Sequence, residues 1–114
     1  MLPKRYRLTN SADFRRVHAQ GRSWSNRMLV LCKLSNALPN SRFGFSVSRH
    51  IGKAVVRNHT KRLLREAVRA HCDVLLPGWD VVLIARKGIV GAGCREVEES
   101  VVLLLRWGRL FRAA

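Results

Sequence analysis

RFGFSVSRHIGKAVVRNHTKRLLREAVR, residues 42–69, joins a short alternating strand to a helix with one cationic face, and its reading decides the fold. On a wheel of about 100° per residue, Val56, Leu63, Leu64, Ala67 and Val68 fall on one side. Arg57, Lys61, Arg62, Arg65 and Arg69 fall on the other. The helix is expected to press its apolar side into a core and present a row of like charges outward. Asn58 lies among the cations, where its carboxamide can donate to a phosphate and accept from a hydroxyl or a base edge. Glu66 is the only acidic side chain in the stretch, so little offsets its positive potential. Solvation alone has no need of charge of one sign, which favours a polyanionic partner over a merely wetted face.

Ahead of the helix, Phe43, Phe45 and Val47 point one way, and Arg42, Gly44, Ser46 and Ser48 the other. That alternation predicts a strand over 42–48 with a core face and a low, polar face. Gly52 then breaks the chain, and the helix is expected to end near Cys72, ahead of Pro77 and Gly78.

Working outward, residues 28–34 read as a strand and 36–41, with Pro39, as a turn, which suggests two adjacent antiparallel strands. On the far side, Asp80 to Ala85 is a β-branched apolar run expected to form a central strand, delivering Arg86 and Lys87 at its end. A strand-helix-strand crossover follows from that order. The N-terminal residues 1–8 form a basic arm; Thr9, Asn10 or Ser11 can cap a helix that begins near Ala12. In that helix Asp13 suits the dipole, Phe14, Val17 and His18 share a face, and Gly21 stops it. A last helix over 95–111 is expected to bury Val97, Val101, Leu104 and Phe111. Glu96, Glu98 and Glu99 lie near its start and Arg106, Arg109 and Arg112 near its end. Neither repeats nor a low-complexity linker divide the chain, so one small domain over 1–114 is expected.

Composition narrows the partner. Lys plus Arg number 22 against 7 Asp plus Glu, a formal charge of +15 on 114 residues, and self-repulsion of that size opposes compaction unless a polyanion is bound. A hydrophobic content of 47% belongs to a globular domain rather than to a disordered basic tail. Apolar stretches such as Val101 to Leu105 are too short to span a bilayer, and no apolar segment with a cleavage site opens the chain. The chain is therefore expected in the cytoplasm, with no membrane partner. Cys32, Cys72 and Cys94 show no C-x-x-C spacing, so they read as reduced, mainly apolar side chains rather than as disulfides or a zinc site.

Independent catalysis finds little support. Asp13, Glu66, Asp73, Asp80, Glu96, Glu98 and Glu99 are scattered, and the one cluster reads as helix-start charge rather than as a metal cage. His18, His50, His59 and His71 have no spacing that singles out an acid-base pair. A phosphate-binding G-x-x-x-x-G-K-[ST] loop is missing. No catalytic or metal-ligating residue is assigned, and the chemistry is expected to lie with an RNA or another subunit.

The central G-K-A-V-V-R-N-H-T-K-R-L-L-R-E resembles the bacterial ribonuclease P protein components. That family carries an Arg-Asn-Arg signature on a basic helix and an Ala-Arg-Lys after a strand; here Arg57 and Asn58, then Ala85, Arg86 and Lys87, stand in matching order. Arg7-Leu8, Asp13-Phe14, Gly21-Arg22 and Asn26-Arg27 also fit, so the likeness spans nearly the whole chain. Two departures stand out. His59 replaces the second arginine, and positions where the family often has aromatics fall on His18 and Cys32, which reduces stacking on unpaired bases.

The resemblance implies an α/β (α+β) two-layer sandwich, a mixed sheet with a left-handed βαβ crossover as in ribosomal proteins and elongation factor G domain IV. It implies a protein that assists a catalytic RNA subunit in removing the 5′ leader of precursor tRNA, with Mg²⁺ held mainly by the RNA and no obligate protein partner. Lys53, Arg57, Asn58, His59, Lys61, Arg62, Arg65 and Arg69 would meet the catalytic RNA. Phe14, Val17, His18, Cys32, Ser46, Ser48, Arg86 and Lys87 would form the cleft for the leader. The residues themselves leave open a structural, ribosomal-type RNA-binding protein; a DNA-binding regulator fits the strand content poorly.

Overall fold

Val81, Val82, Leu83 and Ile84 form an unbroken apolar run, as a strand covered on both faces requires, and the computed structural model, which describes residues 2–112, places it inside the sheet. Four strands occur among those residues: β1 (Arg22–Ser25), β2 (Leu29–Ser35), β3 (Arg42–Ser46) and β4 (Trp79–Ala85). Three α-helices accompany them: α1 (Ser11–Gln20), α2 (Ala54–Arg69) and α3 (Cys94–Trp107). The sheet order is β1-β2-β4-β3, with β1-β2 and β2-β4 antiparallel and β3-β4 parallel.

This order corrects one expectation. β2 and β3 are not neighbours, because β4, apolar on both faces, takes the interior place between them and leaves β3, with its Gly44 and Ser46, at an edge. The β3-α2-β4 crossover is present. β1 carries no alternating apolar signal; Trp24 alone of its residues is half-buried.

One sheet face is sealed by α2 and α3 over Leu29, Leu31, Phe43, Val81, Leu83 and Ala85. The opposite face is covered only in part, where α1 sets Val17 and Phe14 over Cys32 and Val82. α2 buries Thr60, Leu64, Ala67 and Val68, the i, i+4, i+7, i+8 stripe of a core-facing helix. Leu63 is half-buried, whereas Val56 borders solvent at 36% exposure, one turn too early to reach the core.

Three ends depart from the sequence reading: β3 stops at Ser46 rather than at Ser48, and two helices end early. α2 stops at Arg69, and Cys72–Val74 continue as a separate 3-10 turn. α3 stops at Trp107 because Gly108 is followed by Arg109 in the left-handed region (φ 56), where an L side chain costs about 1–2 kcal/mol. The chain then doubles back, so Phe111 is no longer helical but bridges Leu75. At the start of α1, Asn10 is the cap, its Oδ1 accepting from the Ala12 amide at 2.8 Å. Of the cysteines, Cys32 is buried and Cys72 half-buried, and burial pushes both thiols up; Cys94 is exposed, which removes it from the apolar role expected of all three.

Among the described residues, the polar side chains of the buried Ser41, Thr60 and Asp80 are satisfied, whereas the enclosed Nε atoms of Arg7 and Arg57 have no hydrogen-bond partner. Ser41 Oγ donates to the Leu76 carbonyl at 2.7 Å and accepts from the Trp79 amide at 3.0 Å, and Thr60 donates to the Val56 carbonyl. Asp80, fully buried, takes Arg42 Nε at 2.9 Å and Nη2 at 2.8 Å, with Asn36 Nδ2 at 2.9 Å. Arg16 of α1 reaches the same carboxylate at 3.5 Å, and Arg42 and Arg16 both also contact Asp13. Burial alone would raise the Asp80 carboxyl, but the Arg42 and Asn36 hydrogen bonds and the nearby guanidinium charges hold it below the usual carboxylate range.

A depressed folded-state value means the pair stabilises the protein above the ordinary aspartate pKa and is lost as pH falls through the folded value. Asp80→Asn should cost about 3 kcal/mol near neutrality by stranding Arg42, and the cost should shrink as pH drops below about 4. Urea unfolding of both proteins across that range measures the convergence; a pH-independent difference would contradict it.

Candidate nucleic-acid interface

α2 carries most of its basic residues away from the core, while Arg57, whose Nε is buried, stands at the border of the core-facing stripe. Arg57, Lys61, Arg65 and Arg69 follow one another at i+4, flanked by Asn58 and Arg62, while Lys53 stands at the N-cap. Lys53, Asn58, His59, Arg62 and Arg69 are exposed; Lys61 and Arg65 are half-buried, as is Arg57, whose Nε is enclosed. The first turn has no acidic residue and no capping side chain, so its amides and dipole add to the positive field. Val55, Asn58, His59, Arg62 and Arg65 line a shallow groove on this face. Arg62 Nη2 lies 3.1 Å from His59 Nδ1; a guanidinium can only donate, so Nδ1 accepts and the ring proton sits on Nε2. His59 thus orients a neighbouring cation and offers one donor of its own. Arg69 is paired with Glu66 at 3.1 Å.

The partly covered sheet face holds the second site, an open cleft of about 500 Å³ lined by Phe14, Arg15, His18, Ala19, Ser46, Val82 and Ile84. Its floor is apolar strand and its wall is α1. Phe14 can lie against the sheet only because residue 44 is glycine: a Cβ there would stand 2.4 Å from the ring Cζ.

Among the residues expected in this cleft, Phe14, His18 and Ser46 come together. Val17 and Cys32 do not reach its surface. Val17 has no exposed area and Cys32 is 5% exposed, since they pack on each other and on Val82 beneath α1, so both shape the cleft without lining it. Ser48 lies beyond the end of β3, with its Oγ 2.6 Å from His50 Nδ1. Arg86 and Lys87 follow the end of β4, outside the lining; Arg86 is exposed and donates to the Asn26 carbonyl at 2.8 Å. Asn26 fixes that corner, accepting from the Met28 and Leu29 amides and donating to Ser100 of α3. Arg15 was not singled out in the sequence; its place between Phe14 and His18 was the available signal.

A basic helix on one face of a mixed sheet and an apolar, half-open cleft on the other define a small α+β protein with two contrasting exposed surfaces. Comparison with known proteins is specific. The Ribonuclease P family model matches residues 2–107. The chain is 40% identical to the ribonuclease P protein component of Clostridium kluyveri, over 94% of this chain and 97% of that one. It is 35% identical to that of Alkaliphilus oremlandii, over 95% of each. Among solved structures, the Staphylococcus aureus RNase P protein superposes with a TM-score of 0.88 at 31% identity, covering 94% of this chain and 98% of that one. The Thermotoga maritima RNase P protein gives 0.80 at 34% identity, covering 88% and 96%.

The chain belongs to the ribonuclease P protein family. Membership makes it the protein part of a tRNA-processing ribonuclease and implies an RNA partner. Among the described residues no helix is long and apolar enough to cross a membrane.

The cleft depends on the Phe14-Gly44 contact, which gives a direct test. Gly44→Ala should displace Phe14 and α1, destabilising the protein by about 1–3 kcal/mol in chemical denaturation. A stability equal to that of the parent would show that α1 does not rest on Gly44.

Proposed function

We propose that this chain binds a catalytic RNA through α2 and the 5′ leader of precursor tRNA through the α1-sheet cleft, and so assists endonucleolytic leader removal. The observation that carries the reading is the outer face of α2, where Asn58, Lys61, Arg62 and Arg65 stand together, with Lys53 at the N-cap and Arg57 at the border of the face. Cations so placed neutralise phosphates and release counterions, which yields tight, salt-sensitive binding and eases the approach of RNA strands to one another. The cleft has the other character a leader needs: apolar side chains for base faces, with Ser46, His18 and Arg15 for polar and phosphate groups.

The chain's own residues supply no hydrolytic centre in this reading. Among the described residues no three His, Cys, Asp or Glu side chains gather as a metal site, and Asp80 is enclosed by Arg42 and Asn36. In this reading the Mg²⁺ implied by the family resemblance is held mainly by the RNA, whose bound metal would supply the attacking water. Binding, charge screening and leader orientation remain the protein's part.

Leader removal from a precursor tRNA at low Mg²⁺ tests this, using cognate catalytic RNA with and without the protein, and the protein alone. Stimulation only in the combined reaction is expected. Tight RNA binding without stimulation would overturn the assignment in favour of a structural RNA-binding role. In the same complex, Arg57→Ala and Arg65→Ala should each lower the log-log salt slope for the catalytic RNA by about 0.9. Ser46→Ala should weaken precursor binding while leaving affinity for the catalytic RNA as it was.

A further inference from the structure

At the edge of the sheet away from β3, cations and indoles gather on the face that α3 covers. Arg22 of β1 and Lys33 of β2 are directly opposed in the antiparallel register. Like charges opposed across strands repel, so an ordinary sheet would place a carboxylate at one of the two positions. Here aromatic rings take that place. The Arg22 guanidinium sits over Trp24 at 5.4 Å, and the Lys33 ammonium sits over Trp79 at 3.9 Å and Trp24 at 5.6 Å. Arg109 adds a third charge from the turn after α3, in the left-handed conformation that favours glycine. Gly108 beside it lies close enough to Trp24 and Leu31 to fix that turn against the sheet.

Among the described residues, none of Arg22, Lys33 and Arg109 has a carboxylate within ion-pair distance. Their crowding is felt: burial first, then the charges of Arg22 and Arg109, push the Lys33 ammonium below its ordinary value. Three cations are held near one another at a cost to the free protein that a bound anion would relieve.

We propose that Arg22 and Lys33, braced on Trp24 and Trp79, form with Arg109 a second phosphate-binding surface that grips a double-helical segment of the RNA subunit. The proposal rests on the function proposed above and adds a contact to it. Paired RNA fits better than single-stranded RNA because cations already lie over the indole faces, leaving charge rather than ring surface to offer. The RNA subunit fits better than the precursor because the patch shares the sheet face on which α2 packs, whereas the cleft opens on the opposite face. α2 packs beside β3 and α3 beside β1 and β2, so the two basic surfaces flank one helical layer from opposite edges. An RNA large enough to reach both would hold the protein at two points.

The test is the salt dependence of binding to the cognate RNA subunit for Arg22→Gln, Lys33→Met and Arg109→Gly, with a single-stranded leader oligonucleotide and intact precursor tRNA in parallel. Each variant should lower the slope for the RNA subunit by about 0.9 and leave the leader and precursor slopes unchanged. Arg109→Gly is the sharpest member, because it relieves the positive φ and should melt at or above the parent temperature while binding RNA more weakly. Unchanged slopes in all three, with Arg57→Ala still lowering its own, overturn the second surface and leave the proposed function standing. A slope lost only toward the precursor overturns the choice of occupant. If the parent protein neither binds the RNA subunit nor stimulates cleavage, the proposed function has failed, and this surface with it.

Discussion

The rest of the structure depends on the pair between Arg42 and Asp80. The two residues are register partners at the start of parallel strands β3 and β4, and their side chains meet on the half-covered face of the sheet. A one-residue slip of β3 would turn Arg42 to the sealed face and strand Asp80 without a cation, so the pair fixes the register as well as the contact. Asn36 ties in the β2-β3 connection, and Arg16 ties in α1. In a chain with few carboxylates, one of them is wholly buried where four segments meet. Such a pair adds less to stability than an equally well-packed apolar contact would, yet it penalises alternative pairings heavily.

With the register set, the two faces of the sheet divide the work. α2 and α3 seal one face with aliphatic side chains, which lets α2 turn its cations outward on a rigid support. α1 is too short to cover the other face, so Ile84 and Val30 stay half-buried and the cleft remains open beside Phe14. The same apolar strand β4 therefore serves as core on one side and as cleft floor on the other.

Much of this was legible in the sequence, for local reasons. α2 declared itself through a 3.6-residue period in which charge and apolarity are out of phase, and β4 through a run of β-branched residues. Strand order was hidden because it rests on pairings between distant residues; proximity in sequence pointed to β2 beside β3, and burial on both faces put β4 between them. β1 escaped notice because four mostly polar residues give no period. Within the cleft, period alone could not separate lining from support. Phe14 and Val17 share a helical face, yet one turn of curvature over the sheet leaves Phe14 at the rim and Val17 beneath it. The Trp-braced cations were invisible for a similar reason, since Lys33 and Trp79 meet only through the β2-β4 pairing.

The interior place of β4 also governs the order in which the chain can become structured. β2 finds one partner early, in β1, but its other edge and the whole of β3 have no strand to pair with until Trp79–Ala85 has been made. Pairings of such long sequence separation are slow to form because loop closure precedes the gain in contacts. Until β4 is made the chain can pair β1 with β2, while β3 has only its bridge to Arg7, and a late insertion completes the sheet. A nascent protein in that condition exposes charge and apolar surface together, so the timing of β4, as much as the charge of α2, decides when the basic face of α2 gains a rigid support.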